Sequence, residues 1–140
     1  MAKMTRRQAR EAAFALVYES SFHREREDYE LILAEAEEYS ELAGDGFTKS
    51  LYLGTMEKMP ELDGYISKYS TSWKLERVSR VCGAVLRLAI YEMIFAPEKT
   101  PYRVVINEAV ELSKKYDDEK APAFVNGILN KIADDEGLKG

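Results

Sequence analysis

The chain has 140 residues, 46% apolar and 32% charged, with a formal charge of −5, which is enough for one domain with its own core and too little for two. No apolar run reaches the roughly 18–20 residues of a membrane span, and the basic N-terminus lacks the apolar stretch of a secretory signal, since Glu11 and Glu19 flank Ala12 to Tyr18. Cys82 and His23 are the single cysteine and the single histidine, so no internal disulfide can form, a reducing cytoplasm fits, and no metal site, cofactor or catalytic residue is assigned.

Nearly every segment reads with helical period and none reads convincingly with period two, so an all-α fold of about seven helices is expected. The first helix starts at Thr5, because Thr5-Arg6-Arg7-Gln8 has the form of a capping box. Ala9, Ala12, Ala13, Leu16 and Val17 recur at three- and four-residue spacings and predict its packed side. At about 100° per residue, Lys3, Arg6, Arg7 and Arg10 share a different arc, and Phe14 falls inside it. An acidic helix is expected around 28–43 with Leu31, Ala34, Tyr39 and Leu42 inward, followed by a turn at Gly44-Asp45-Gly46. Phe47, Leu51 and Gly54 mark a third helix that Pro60 ends, and Leu62, Tyr65, Ile66 and Tyr69 a fourth, interrupted at Ser70-Thr71-Ser72.

From Leu75 to Phe95 the chain is at its most apolar, and Val78, Val81, Cys82, Val85, Leu86, Leu88, Ala89, Ile90, Met93 and Ile94 cover most of the circumference. That distribution predicts the central helix of a bundle. Thr100-Pro101 reads as an N-cap and a first-turn proline. The sixth helix buries Val105, Ile106, Ala109, Val110 and Leu112 and ends near Tyr116, before a charged loop at 117–121. The last helix begins near Pro122 and uses Phe124, Val125, Ile128, Leu129 and Ile132, with Asn126-Gly127 in its interior. The organisation expected is one domain over 1–140, with an N-terminal bundle over 1–70, a C-terminal bundle over 71–135 and a flexible tail at 136–140.

Four cations and no carboxylate stand in the first ten residues of an acidic chain. Each cation at a helix N-terminus costs roughly 0.3–1 kcal/mol against the macrodipole, so an anionic partner is the simplest reason for them. Guanidinium forks suit phosphates, helix N-termini offer free N–H groups, and Phe14 on the same arc offers a ring to an unstacked base. The alternative is a solvated charged face.

Arg87, Glu92 and Glu108 are charges on otherwise apolar helices. They are read as an ion-pair network joining the fifth and sixth helices rather than an acid–base pair, because no nucleophile lies near. Cys82 reads as a small hydrophobe, His23 as solvated, and Tyr52, Tyr65, Tyr69 and Trp73 as packing aromatics. Glu35 to Glu38 and Asp117 to Glu119 read as solvated faces. There is no Gly-rich phosphate loop, H-E-x-x-H or G-x-S-x-G, and an enzyme is not expected.

Three pieces together resemble the bacterial transcription antitermination factor NusB family. They are Arg6-Arg7-Gln8-Ala9-Arg10-Glu11 leading to Leu16-Val17-Tyr18, the run Ala84 to Glu92 (AVLRLAIYE), and Pro101 to Leu112 (PYRVVINEAVEL) followed by Phe124-Val125-Asn126-Gly127-Ile128-Leu129. The match spans nearly the whole chain, although 22–72 agree in helical character more than in letters. The resemblance implies two perpendicular three-helix bundles with an additional helix. It implies binding of the single-stranded boxA element of ribosomal RNA leaders, shared with NusE, a small-subunit ribosomal protein, and entry with other Nus factors into the RNA polymerase elongation complex.

By the resemblance, Lys3, Arg6, Arg7 and Arg10 contact RNA, Phe124 matches an aromatic associated with RNA, and Tyr18 faces NusE. Glu76 and Cys82 are placed on the same partner side. The family has an acidic residue, usually followed by a basic one, just before Ala-Val-Leu-Arg, where Cys82 and Gly83 stand here. A homodimer covering the arginine patch is a further implication. Two rivals stand beside this reading: a helical protein–protein adaptor of the same fold with lost or altered RNA binding, and a NusB-like domain of a ribosomal RNA methyltransferase, for which no cofactor-binding domain is expected in these residues.

Overall fold

The computed structural model describes residues 5–22, 28–39, 44–70 and 78–139, and among these there are seven α-helices and no strand. Helix α1 (Arg6–Ser20) opens on the expected capping box: Thr5 Oγ accepts from Gln8 N at 3.0 Å, and Gln8 Oε1 accepts from Thr5 N at 2.9 Å. Ala9, Ala13, Leu16 and Val17 form its buried stripe.

Helix α2 (Asp28–Tyr39) is rotated relative to expectation. Leu31 is 59% exposed and Ala34 is exposed, while Tyr29, Ile32, Leu33 and Ala36 pack on the core; Leu42 lies outside the described residues. Leu31 to Ala34 are all apolar, so two stripes were available. The one containing Tyr29 meets a partner, with its ring edge-on to Tyr52 at 6.4 Å.

Helix α3 (Gly46–Glu57) is capped by Asp45, whose Oδ2 accepts from Phe47 N at 3.1 Å and Thr48 N at 3.2 Å. Only Lys58 separates it from α4 (Met59–Tyr69). Pro60 therefore does not end α3 but sits in the first turn of α4, where its missing N–H costs nothing.

Helix α5 (Arg80–Ile90) starts later than expected, at the Ser79 cap, where Ser79 Oγ accepts from Cys82 N at 2.9 Å. It runs into a π-helical turn, Tyr91–Phe95, closed by Ala96 N donating to Tyr91 O at 2.9 Å. This wider turn buries three consecutive residues, Tyr91, Glu92 and Met93. Helix α6 (Tyr102–Tyr116) has Pro101, not Thr100, at its cap. Helix α7 (Ala121–Asp135) is preceded by Asp118, whose Oδ1 accepts from Lys120 N and Ala121 N. Asp117 accepts from Ser79 Oγ at 2.7 Å, so this acidic run, solvated as expected at Asp118 and Glu119, also ties elements together.

Helices α1, α2 and α3 pack on one another, as do α5, α6 and α7, and α4 is the additional helix, lying against α3, α5 and α7. Helix α5 touches α1, α3, α4, α6 and α7, the central place its all-round apolarity predicts. The expected flexible tail is a closed turn as far as residue 139. Gly137 takes φ +72°, its N donates to Asp134 O at 3.1 Å, and Leu138 N donates to Ala133 O at 2.9 Å, a Schellman cap whose apolar residue, Leu138, packs on the core. No helix among the described residues is long and apolar enough to cross a membrane.

Candidate nucleic-acid interface

The cations of α1 separate into two outward groups and one inward group. Arg6 is exposed and its guanidinium lies 3.9 Å from the Phe47 ring centroid, a cation–π contact. Arg7 Nε donates to both Glu108 oxygens at 3.1 and 3.3 Å, and Nη2 donates to Oε1 at 3.3 Å. That bond raises the Arg7 pKa above its ordinary value. Arg10 departs from expectation: it is buried, held in hydrogen bonds of 2.7–3.0 Å to the Glu92 carboxylate. Helical phase alone put it on the cationic arc, and the buried Glu92 of the π turn draws it into the protein.

Phe14 also departs from expectation. It is 4% exposed, with its ring 5.2 Å from Tyr116 and 6.2 Å from Tyr18, so it stacks on protein rings and offers no face to a base. Lys3 lies outside the described residues.

Arg7 opens onto a cleft of about 380 Å³ between α1 and α6, lined also by Glu11, Glu108, Glu111, Lys114 and Lys115. Lys115 Nζ lies 2.8 Å from Glu11 Oε2, and the Tyr116 hydroxyl donates to the same oxygen at 2.5 Å. These two bonds, Lys115 first, hold the Glu11 carboxyl below the usual glutamate range. Lys114 and Lys115 were not singled out in the sequence; they stand in the last turn of α6, where cations suit the helix dipole.

The expected network between the fifth and sixth helices is replaced by links to other elements. Glu92 and Glu108 both pair with α1, and Arg87 Nε donates to Asp63 of α4 at 2.7 Å. The three charges hold the two bundles and α4 together.

On the expected partner side, Tyr18 is half-buried and its ring meets Phe22 edge-on at 5.2 Å. Phe22 is 56% exposed, with the Arg80 guanidinium 4.6 Å from its ring centroid and Arg80 Nη1 donating to Ser21 O at 2.5 Å. Neither Phe22 nor Arg80 was singled out in the sequence, although Phe22 stands one helical turn after Tyr18. Cys82 is buried, so its side chain is not a surface contact, and burial with Asp117 and Asp118 nearby pushes its thiol up to about 12. It lines a cleft of about 340 Å³ together with the half-buried Phe124, Val78 and Lys120. Two residues expected on different surfaces thus share one cleft. Glu76 lies outside the described residues.

The NusB family model matches residues 7–134. The chain belongs to the NusB family. It is 40% identical over 130 residues to the transcription antitermination protein NusB of Ruminiclostridium cellulolyticum, covering 93% of this chain and 89% of the relative. It is 40% identical over 134 residues to that of Bacillus subtilis, covering 94% and 97%. Among solved structures it is similar to T. maritima NusB, with a TM-score of 0.81, 39% identity and coverage of 95% of this chain and 93% of that one. It is also similar to a chain in a crystal structure of the antitermination factors NusB and NusE in complex with dsRNA, with a TM-score of 0.72, 32% identity and coverage of 91% and 94%.

Proposed function

We propose that this chain is a transcription antitermination factor that binds the boxA element of ribosomal RNA leader transcripts together with NusE and joins the RNA polymerase elongation complex with other Nus factors. It is a cytoplasmic adaptor rather than an enzyme and uses no cofactor. The observation that carries the RNA reading is the pair Arg6 and Arg7: adjacent, outward-facing cations on the first turn of a helix, where folding alone favours carboxylates. The antitermination proteins and the NusB–NusE complex with dsRNA among its relatives supply the context.

In this reading Arg6, Arg7 and Lys3 capture phosphates, and Lys114 and Lys115 extend the positive field across the cleft. Phe124, half-buried, supplies the ring that Phe14 does not. Arg10 contributes by holding α1 in place. Tyr18, Phe22 and Arg80 form the face toward NusE, a role the family resemblance also gives to Glu76, and Cys82 supports that end of α5 from within.

The test is titration of single-stranded boxA RNA, with and without NusE, against wild type and an Arg6/Arg7→Ala variant at several salt concentrations. Two phosphate contacts at about 0.7 each predict that the slope of log K against log salt flattens by about 1.4 in the variant. Equal affinity and equal slope overturn the reading.

A further inference from the structure

Among the carboxylates of the α1–α6 cleft, Glu108 is set most firmly. Its side chain is 15% exposed, whereas that of its partner Arg7 is 64% exposed, so the acid is embedded in protein and the cation stands in solvent. The contact uses one edge of the guanidinium, Nε and Nη2. Among the described residues Nη1 of Arg7 donates no hydrogen bond, which leaves the outer edge of the fork open for a second bidentate partner. By contrast, Lys115 meets a Glu11 that is 34% exposed, and Lys114 meets a Glu111 that is 46% exposed.

We infer that Glu108 is a positioning residue for RNA: it holds Arg7 by the Nε edge so that the Nη1 edge faces a phosphate. This rests on the RNA-binding reading above. A carboxylate beside a phosphate site has two opposed effects, and magnitudes decide between them. Fixing a rotamer-rich side chain in advance is worth about two- to tenfold in affinity. Repulsion between Glu108 and a phosphate on the far side of the guanidinium, about 7 Å away at ordinary ionic strength, costs about 1.5-fold through water and about fivefold at the effective dielectric of a protein surface, at each end less than the ordering gain. Ordering wins, so removing this negative charge weakens the binding of a polyanion, the opposite of what charge alone predicts.

The experiment is a double-mutant cycle read by equilibrium titration of labelled single-stranded boxA RNA at fixed salt, using wild type, E108Q, R7A and R7A/E108Q of the full chain. The expected result is that E108Q weakens binding about two- to fivefold while leaving affinity unchanged or slightly tighter in the R7A background, where there is no guanidinium to orient. E108Q that tightens binding in both backgrounds overturns the inference and makes Glu108 a competitor of the phosphate. Equal weakening in both backgrounds overturns it too, since a loss of fold acts without Arg7. If R7A itself binds as wild type does, the RNA reading of this surface fails first and the inference falls with it.

Discussion

The Arg10 guanidinium closes on the Glu92 carboxylate across 82 positions of the chain, with Nη2 donating at 2.7 Å and Nε at 2.9 and 3.0 Å, and with both side chains less than a tenth exposed. This pair joins α1 to the π-helical turn inside the protein. Breaking such a pair from one side leaves an uncompensated buried charge and costs about 3–5 kcal/mol, whereas replacing both partners by apolar groups of similar volume is often neutral. Arg10→Ala and Glu92→Ala are each expected to lower unfolding free energy in urea by that amount, and Arg10→Met with Glu92→Leu to recover most of it. A loss below about 1 kcal/mol in either single variant would show that the pair is not a clamp.

Phe14 and Phe124 are separated by the same reasoning about exposure. Phe14→Ala empties a core site between Tyr18 and Tyr116 and is expected to cost about 3–5 kcal/mol of stability. Phe124 is half-buried at the edge of a cleft, so Phe124→Ala is expected to cost less stability and to weaken boxA RNA binding by about 1–3 kcal/mol if it stacks on a base. Thermal melts and RNA titration of both variants check this. Unchanged RNA affinity in Phe124→Ala removes that residue from the interface.

Much of the architecture was legible because single elements carried their own signals. The Thr5 and Gln8 capping box, the all-round apolarity of 80–95 and the helical phase around Asn126-Gly127 are local, and the structure keeps each of them. What was not legible depends on a distant partner. Arg6, Arg7 and Arg10 share one arc, and only Glu92, brought up by the π turn, withdraws Arg10 from it. Leu31 and Ile32 are equally apolar, and Tyr52 across the bundle selects the stripe that includes Tyr29. The closed end of α7 did have a local signal, glycine followed by leucine at 137–138, but it reads as a cap only if the last helix is taken to end just before it.

Cys82 tests the interior of the cleft that it shares with Phe124. Burial pushes the thiol to about 12, so at pH 8 the reactive thiolate is about a thousandfold rarer than for a free cysteine. Alkylation by iodoacetamide is expected to be slower by at least that factor in the folded protein than in denaturant. Labelling at the denatured rate would place the thiol in solvent and reopen Cys82 as a surface contact.

The Glu11 carboxyl, held below its ordinary pKa of 4.5 by Lys115 and Tyr116, gives a pH dependence with a defined sign. A depressed folded-state pKa contributes stability that is fully present above the unfolded value and is lost as pH falls through the folded value. The stability difference between wild type and Glu11→Gln is therefore expected to be constant above about pH 5.5 and to shrink progressively below about pH 4.5. Urea midpoints at pH 7 and pH 3 measure it. A difference that persists at pH 3 would make the contact one of packing rather than charge.

Gly54 and Tyr91 set how closely α3 approaches the π turn. A Cβ on Gly54 falls 2.1 Å from both Cζ and Oη of Tyr91, and Tyr91 is itself buried, so its ring has little room to retreat. Gly54→Ala gains about 1 kcal/mol of helix propensity but overpacks the seam at a cost of about 1–3 kcal/mol, and it is expected to destabilise on balance. The partner substitution locates the clash. Tyr91→Phe keeps Cζ and does not relieve Gly54→Ala, whereas Tyr91→Leu removes the distal ring and does. A double-mutant cycle in urea is expected to give a favourable coupling for Gly54→Ala with Tyr91→Leu and almost none with Tyr91→Phe. Equal coupling in both cycles would mean that the hydroxyl, not the ring, sets the distance between the two elements.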